Sequence, residues 1–576
     1  MLTSLTAPAF AKTWCIEDGN ITVKAGDTGN DVTQKGETTY GDTDTIITNQ
    51  NKDIASSNTV TIETKDKDDK AKVTFENVNI EAGSGSALTS KGDVTLTLKG
   101  DNSLTGGISD NGSYGLSGIS SNGSLTITGG EKDSLTAQGG SGTYSGGSGI
   151  YSDSLTISGG TVNATGGKSS EDSMSNGGYG IHSGSLTISG STVNATGGDG
   201  SNNDASSGGS GINIFSGGSG SINISDGTLT ATGGNGVNSH GGNGISSSGS
   251  LTISNGGSLT VSGGTVNANG GKSGSGDHSA GGSGISSSGS LTISGGTVTA
   301  NGGNGGTISG GDGICSSGGV TISSGSTVTA NGGSGEDGSG GRGITSDGGV
   351  TVSGGTVTAN GGSGKKGNGG DGILSFNPVA ISGGTVKSNG GSGTNSGGYG
   401  IISNDIDLSG SLELTAKAGS PNGKALSRAG HEFDLDTIKD KLDPGAKVTT
   451  TDADGKVIQQ VSIPRPVEPE KPVIPGDSSS SSGGGSAGAS VQESVFPGLV
   501  VTDKDGQRIS YTSIRGNNVL SLRVGRFTAS LRASLSTLRQ LRAEGIETIT
   551  FQTILCRIVL GGDFSDFVTR WHPMGR

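Results

Sequence analysis

The residues best placed to do chemistry in this chain are uncharged, and they recur. Thr161 and Asn163, Thr192 and Asn194, and Thr265 and Asn267 repeat a T-x-N pattern, which Thr297/Thr299, Thr327/Thr329 and Thr356/Thr358 repeat as T-x-T. Alternate residues of an extended strand face the same way, so copies laid over one another would present a flat array of hydroxyls and amides. Such an array suits a ligand that is itself periodic, a sugar chain or an ice lattice. The plainer role is to solubilise a β surface while stacking well.

A second set precedes a recurrent Gly-Ile pair and is the most varied column: Tyr179, Asn243, Asp312, Arg342, Asp371 and Tyr399 belong to it. Asp312, Arg342 and Asp371 fall on successive repeats and would stack with alternating charge, a ladder worth about 0 to 1 kcal/mol per exposed pair. Read chemically, they form a small patch that grips an acidic sugar through Arg342, or a cation through the aspartates with Asp277 as a further acid. Calcium needs six to eight oxygens, more than the acids of any single loop provide, so an ion would have to bridge repeats. Calcium is therefore optional here, and no cofactor is required.

The case for catalysis is thin. A polysaccharide lyase wants clustered acids and a base, and a glycosidase wants two facing carboxylates roughly 5 to 9.5 Å apart. Asp277, His278, Asp312 and Arg342 could be brought together, but no sequence signature supports it, and no catalytic residue is assigned. The five histidines never pair at metal spacing, and Cys15, Cys315 and Cys556 suit neither a disulfide framework nor a zinc site. The G-G-x-G tetrapeptides lack both the nine-residue calcium period and a following G-K-[ST].

These side chains need elements to hold them, and composition narrows the choice. With 118 Gly, 28% apolar and 3% aromatic residues, ordinary globules are excluded. Disorder is the first alternative, but the sparse apolar residues recur at fixed places. A unit reading G-G-x-G-I-x-S-x-G-S-L-T-I-S-G-G-T-V-x-A-x-G-G is marked by Ile119, Ile150, Ile181, Ile212, Ile245, Ile285, Ile314, Ile344, Ile373 and Ile401. The intervals stay near thirty residues except between Ile245 and Ile285, where a second S-L-T-V copy, Ser258 to Val261, fills the excess.

Each unit carries three short β pieces joined by glycine corners, where φ > 0 is expected. In one unit Leu155, Ile157, Val162 and Ala164 share a face opposite Thr156, Thr161 and Asn163. One such coil buries too little to offset the roughly 1 to 2 kcal/mol per residue of backbone entropy, so coils must stack and pair with their neighbours. The fold class is all-β: a single-stranded parallel β-helix of about 10–12 coils, with column one running from Leu125 to Val379 and column two from Val162 to Val386.

The segments follow from this. Residues 1–11, ending Ala9-Phe10-Ala11, read as the remnant of an export signal. Residues 12–118 form a cap and irregular first coils, with Ala87-Leu88 in the Gly-Ile place; 119–420 are regular coils, 421–462 a second cap, and 463–490 a Pro/Ser/Gly linker. Residues 491–576 read as a small α+β domain, with strands at Leu499–Val501, Ile509–Tyr511, Val519–Val524 and Thr548–Thr553 around a helix from Thr528 to Glu544. That helix would carry Leu531, Leu535, Leu538 and Leu541 on one stripe, with Arg532, Arg539 and Arg542 as a solvated basic face or a dock for an anionic wall polymer.

Net charge is -14. Residues 503–576 hold 11 basic and 6 acidic side chains, about +5, which leaves about -19 on the remainder. An acidic repeat region excludes nucleic acid as a natural ligand, and no apolar run reaches the roughly 20 residues of a membrane-spanning helix.

The phrases Gly123-Ser124-Leu125-Thr126-Ile127, Gly159-Gly160-Thr161-Val162-Asn163-Ala164 and Gly178-Tyr179-Gly180-Ile181 resemble the secreted carbohydrate-binding domain-containing proteins of anaerobic Gram-positive bacteria. The resemblance spans about residues 15 to 420. It implies a secreted, right-handed, pectate-lyase-like helix that binds plant-type polysaccharide without cleaving it, with calcium as an optional ion; the expected partner is a plant or host glycan and the expected state a monomer. A structural stalk or adhesin is the alternative, and a β-helix lyase a more distant one. With Trp14 and Trp571 outside the column, aromatic platforms are expected to contribute little.

Overall fold

A computed structural model describes residues 12–26, 28–64, 69–169, 176–201, 206–215, 222–224, 226–248, 251–253, 264–274, 276 and 279–465. Of the remainder it describes 499–502, 509, 511–516, 519–524, 530–533, 541, 548–552, 556–561 and 570–573. The chain divides into two compact units, Met1–Glu468 and Pro469–Arg576. The export-signal remnant, most of the linker, Asp277, His278 and the extra S-L-T-V copy lie outside the described residues.

The first unit is a parallel β-solenoid of about 14 turns. Its first strands stack in one register: Ile119 on Ile150, Ile150 on Ile181, and onward through Ile212, Ile245, Ile285, Ile314, Ile344 and Ile373 to Ile401. The column continues where the motif is lost. Ile21, Val60 and Leu88 lead into Ile119, and Leu426 follows Ile401. These end turns keep the inward apolar residue but not the surrounding glycines and serines, so motif counting stops at 10–12.

The third strands stack equally well, Val298 lying directly between Val266 and Val328. Their inward side chains, with those of the other strands, fuse into one buried core running from Trp14 to Val461. Both ends of that core are closed. At the front, Ile21–Gly26, Gly29–Gln34 and Glu37–Asp42 form an antiparallel meander, and buried Trp14 donates from Nε1 to Asp42 Oδ2 at 3.0 Å. At the back, the 3-10 turn Leu435–Lys441 buries Leu435 and Ile438, and Lys447–Thr451 pairs antiparallel with Val457–Ser462.

Glycine does two different jobs, of which φ > 0 is the smaller. Between the second and third strands Gly296 and Gly355 take φ of 69° and 81°, as expected for corners. The glycine pairs that flank each variable loop do not take left-handed φ; they are glycine because chains pass too close. A Cβ on Gly311 would sit 1.9 Å from the carbonyl oxygen of Gly282, and one on Gly303 would sit 2.0 Å from that of Gly271. Each loop leaves through one pair and returns through the next, and the legs are linked along the axis: Gly303 N–H donates to Gly282, Gly311 to Gly303, Gly333 to Gly311 and Gly341 to Gly333, each at 2.8 Å. The same relay extends without a break from Gly107 to Gly419. Apart from Leu116, which makes one link near the front, every member of this crowded array is glycine, as at the axis of collagen.

In the second unit, Thr512–Gly516, Val519–Arg523, Thr548–Gln552, Cys556–Gly561 and Arg570–Pro573 share a sheet, and Val501, Leu520, Leu522, Val524, Leu541, Ile549 and Phe551 form its core. The strand expected at Ile509–Tyr511 starts at Thr512 instead. Nor does the expected helix begin at Thr528: Ser530–Ala533 is a strand, paired antiparallel with Leu499–Thr502. Leu531 satisfies helical and alternating spacing alike, and the distant partner strand decides between them. Val519–Arg523 and Thr548–Gln552 pair in parallel, which requires a crossover, and Leu541, helical and buried, lies on it. Leu535, Leu538, Arg539 and Arg542 lie outside the described residues.

Candidate functional site

The outward face of the third strands is the most regular surface of the molecule. Thr161 lies beside Thr192 and Asn163 beside Asn194; Thr265 and Asn267 lie beside Thr297 and Thr299. The turn between these groups, which the spacing argument passed over, contributes Thr228 and Thr230, so one file is unbroken from Thr161 to Thr385 and the other from Asn163 to Thr358, where Lys387 follows. Neighbours along the axis stand about 4.8 Å apart, and neighbours along a strand about 6.7 Å. The threonines and asparagines are half-buried or exposed.

A third file was missed: Asn269, Asn301, Asn331, Asn360 and Asn389. Each amide donates from Nδ2 to Oδ1 of the preceding one, at 2.7 to 2.8 Å. Asn194 likewise donates to Asn163 at 2.9 Å. The alternation rule, carried two residues beyond Asn267, would have found this file. Its consequence is rigidity, since an amide bonded on both sides has one orientation.

The residues before the Gly-Ile pairs stack as expected, but their side chains mostly bond to backbone. Asn243 Oδ1 accepts from the Ser283 N–H at 2.8 Å, Asp312 Oδ1 from Arg342 at 2.7 Å, and Asp371 Oδ1 from Tyr399 at 2.7 Å. The other Asp312 oxygen accepts from Thr345 Oγ1 at 2.7 Å, and Arg342 Nε stands 3.5 Å from Asp371 Oδ2. Burial pushes the carboxyls of Asp312 and Asp371 above their ordinary range, against the pull of these hydrogen bonds and of Arg342. Burial, helped by Asp312 and Asp347, also pushes the Cys315 thiol up to about 11, and Cys15 and Cys315 are free. Arg342 lies between Asp312 and Asp371, and three of their four carboxylate oxygens accept hydrogen bonds. Among the described residues no three His, Cys, Asp or Glu side chains gather to hold a metal.

Aromatic residues do gather, contrary to the expectation drawn from the tryptophans. Tyr151 and His182 lie in register on adjacent first strands, with Asn213 next in line. Phe215 follows that third strand and returns over the pair: its ring is stacked with Tyr151, centroids 5.5 Å apart at 10°, and lies edge-on to His182 at 4.5 Å. Tyr179 meets His182 at 4.7 Å. Burial lowers the His182 pKa to about 4, so the ring is neutral at physiological pH. Of this group the sequence reading singled out Tyr179 alone, because the four rings stand at three different places in the repeat.

The loops also stack, Gly305 bridging to Gly335 and Gly335 to Gly364, and their charges pair across turns, as Lys365 does with Glu336 at 2.7 Å and Lys366 with Asp337 at 2.6 Å. Beside the rear cap, a cleft of about 480 Å³ contains Asp405 and Asp407, whose charges are met by Arg428 and Lys441 at 3.0 Å.

Fold and surface together define a capped parallel β-solenoid with long in-register polar files. The chain matches no family model, no curated protein and no solved structure. No helix among the described residues is long and apolar enough to cross a membrane.

Proposed function

We propose that this is a non-catalytic polysaccharide-binding protein that works outside the cell, free or at the cell surface, as a monomer. The supporting observation is the Thr/Asn face: three parallel files of hydrogen-bonding groups, repeated turn after turn, the third of them held still by amide-to-amide bonds. A polymer of repeating hydroxyls lying along the axis would meet an equivalent donor and acceptor set at each turn. Weak single contacts then add through multivalency. The resemblance to secreted carbohydrate-binding proteins points the same way. The alternative is a stalk that carries another domain outward, favoured by the uninterrupted core and glycine relay.

Retention of the full chain on immobilised polysaccharides, with and without calcium, tests the proposal. The expected result is retention on at least one polymer, lost when Thr329→Lys and Thr358→Lys are combined. No retention on any polymer overturns the binding reading and leaves the stalk.

A further inference from the structure

Five features stand apart from the Thr/Asn face: the cleft at the rear cap, the Asp312–Arg342–Asp371 ladder, the paired loop charges, the exposed Tyr114 and Tyr144, and the cluster of Tyr151, Tyr179, His182 and Phe215. The cleft and the two sets of charges are satisfied by their own partners. Tyr114 and Tyr144 are both 54% exposed, with ring centroids 6.1 Å apart and planes tilted by 38°.

The four-ring cluster differs on each count. Its members come from three successive turns, yet none belongs to the solenoid core. They sit on the outer side of a sheet whose equivalent positions on the neighbouring turns are small and polar: Ser120 precedes Tyr151 in the stack, and Asn213, Ser246 and Ser286 follow His182, with apolar Leu374 and Ile402 only at the far end of the file. Apolar area was therefore placed where water would otherwise meet serine. The rings keep partial exposure. No ionised side chain contributes to the shift of His182, which arises from burial alone.

An aromatic surface with hydroxyl and amide groups at its edge, and with exposed Asp153 two residues beyond Tyr151 to disfavour an acidic sugar, has a definite complement: an uncharged ring that is apolar on one face and hydroxylated around its rim. We infer that Tyr151, Phe215 and Tyr179, braced by His182, form a stacking platform for an uncharged pyranose of a neutral polysaccharide, with Asn213 and Asn243 on the following turns binding its hydroxyls. An aliphatic protein segment is a poorer occupant, since the patch offers flat ring faces and polar edges but no aliphatic pocket. The inference rests on the polysaccharide-binding reading and adds to it a place and a sugar class. The platform lies on the first-strand sheet and the Thr/Asn files on the third-strand sheet, so it would be a second contact beside that of the files.

The test is affinity electrophoresis of the full chain in gels holding xylan, mixed-linkage β-glucan, galactomannan or polygalacturonate. It compares wild type, Tyr151→Ala with Phe215→Ala, Tyr151→Phe, and Thr329→Lys with Thr358→Lys. Retardation by a neutral polymer should weaken about tenfold in the alanine pair, as expected for loss of stacked rings, and survive in Tyr151→Phe. Independently of any variant, saturating neutral oligosaccharide should perturb the tyrosine ultraviolet spectrum of wild type, which covers the case in which the alanine pair folds poorly. Neutral binding that persists in the folded alanine pair, or that leaves the tyrosine spectrum unchanged, overturns the platform and leaves the polysaccharide reading standing. Retention by polygalacturonate alone does the same. Absence of retention in every gel overturns both.

Discussion

Asn331 donates from its amide nitrogen to Asn301 Oδ1 at 2.7 Å, across residues thirty positions apart. Asn360 in turn donates to Asn331, so each amide is fixed at both ends. Asn331→Asp would set a carboxylate oxygen against Asn301 Oδ1 and should cost about 1 to 3 kcal/mol in urea denaturation. Asn331→Thr places there the residue found at Thr165, Thr196 and Thr232 and should cost less than half as much.

The two kinds of glycine predict two scales of damage. Gly325 has φ of 85° but open space around its missing Cβ, so Gly325→Ala should cost about 1 kcal/mol of backbone strain. Gly311→Ala must push back the Gly282 carbonyl, a member of the axial relay. It should break the stack locally, read as lost β circular dichroism or early proteolysis between the flanking turns.

Asp312 separates the value of a hydrogen bond from the cost of a charge. Its folded pKa is raised, so the folded state binds more protons than the unfolded state across the carboxylate range. Stability therefore falls as pH rises from the ordinary carboxylate range towards the raised folded value. Asp312→Asn keeps an Oδ1 for the Arg342 N–H, as Asn243 does for Ser283. It should match or exceed the wild-type melting temperature at pH 7, with the advantage disappearing in acid. Asp312→Ala leaves the Arg342 N–H and Thr345 hydroxyl without this acceptor and should lose about 1 to 3 kcal/mol.

His182 runs the other way in origin but also lowers stability when charged. Its pKa falls from 6.5 to about 4 on folding, so between those values the unfolded chain holds a proton that the folded chain lacks. Stability should decline as pH falls from about 6.5 to about 4, by about 1 to 2 kcal/mol once screening of the half-buried ring is allowed for. Melting curves across this range should show the slope in wild type and lose it in His182→Gln.

The sequence by itself determined the column. A thirty-residue recurrence of Ile, Leu and Val between glycines has one economical solution, because a single coil cannot offset its own chain entropy and a stack can. Hence Ile119 to Ile401, Val298 beside Val328, and the Thr161–Asn163 files were legible in advance. The tertiary structure decided what periodicity could not express. Ile21 and Leu426 entered the column without the motif, since the core selects an inward apolar residue and tolerates any outward one. The flanking glycines proved to be packing residues instead of turn residues, because their constraint is the carbonyl of another turn. Ser530–Ala533 became a strand because a partner more than twenty-five residues away was there to pair with it. Tyr151, Tyr179, His182 and Phe215 met because three turns bring different repeat positions within ring distance, a proximity that depends on the direction of each side chain and not on any spacing along the chain.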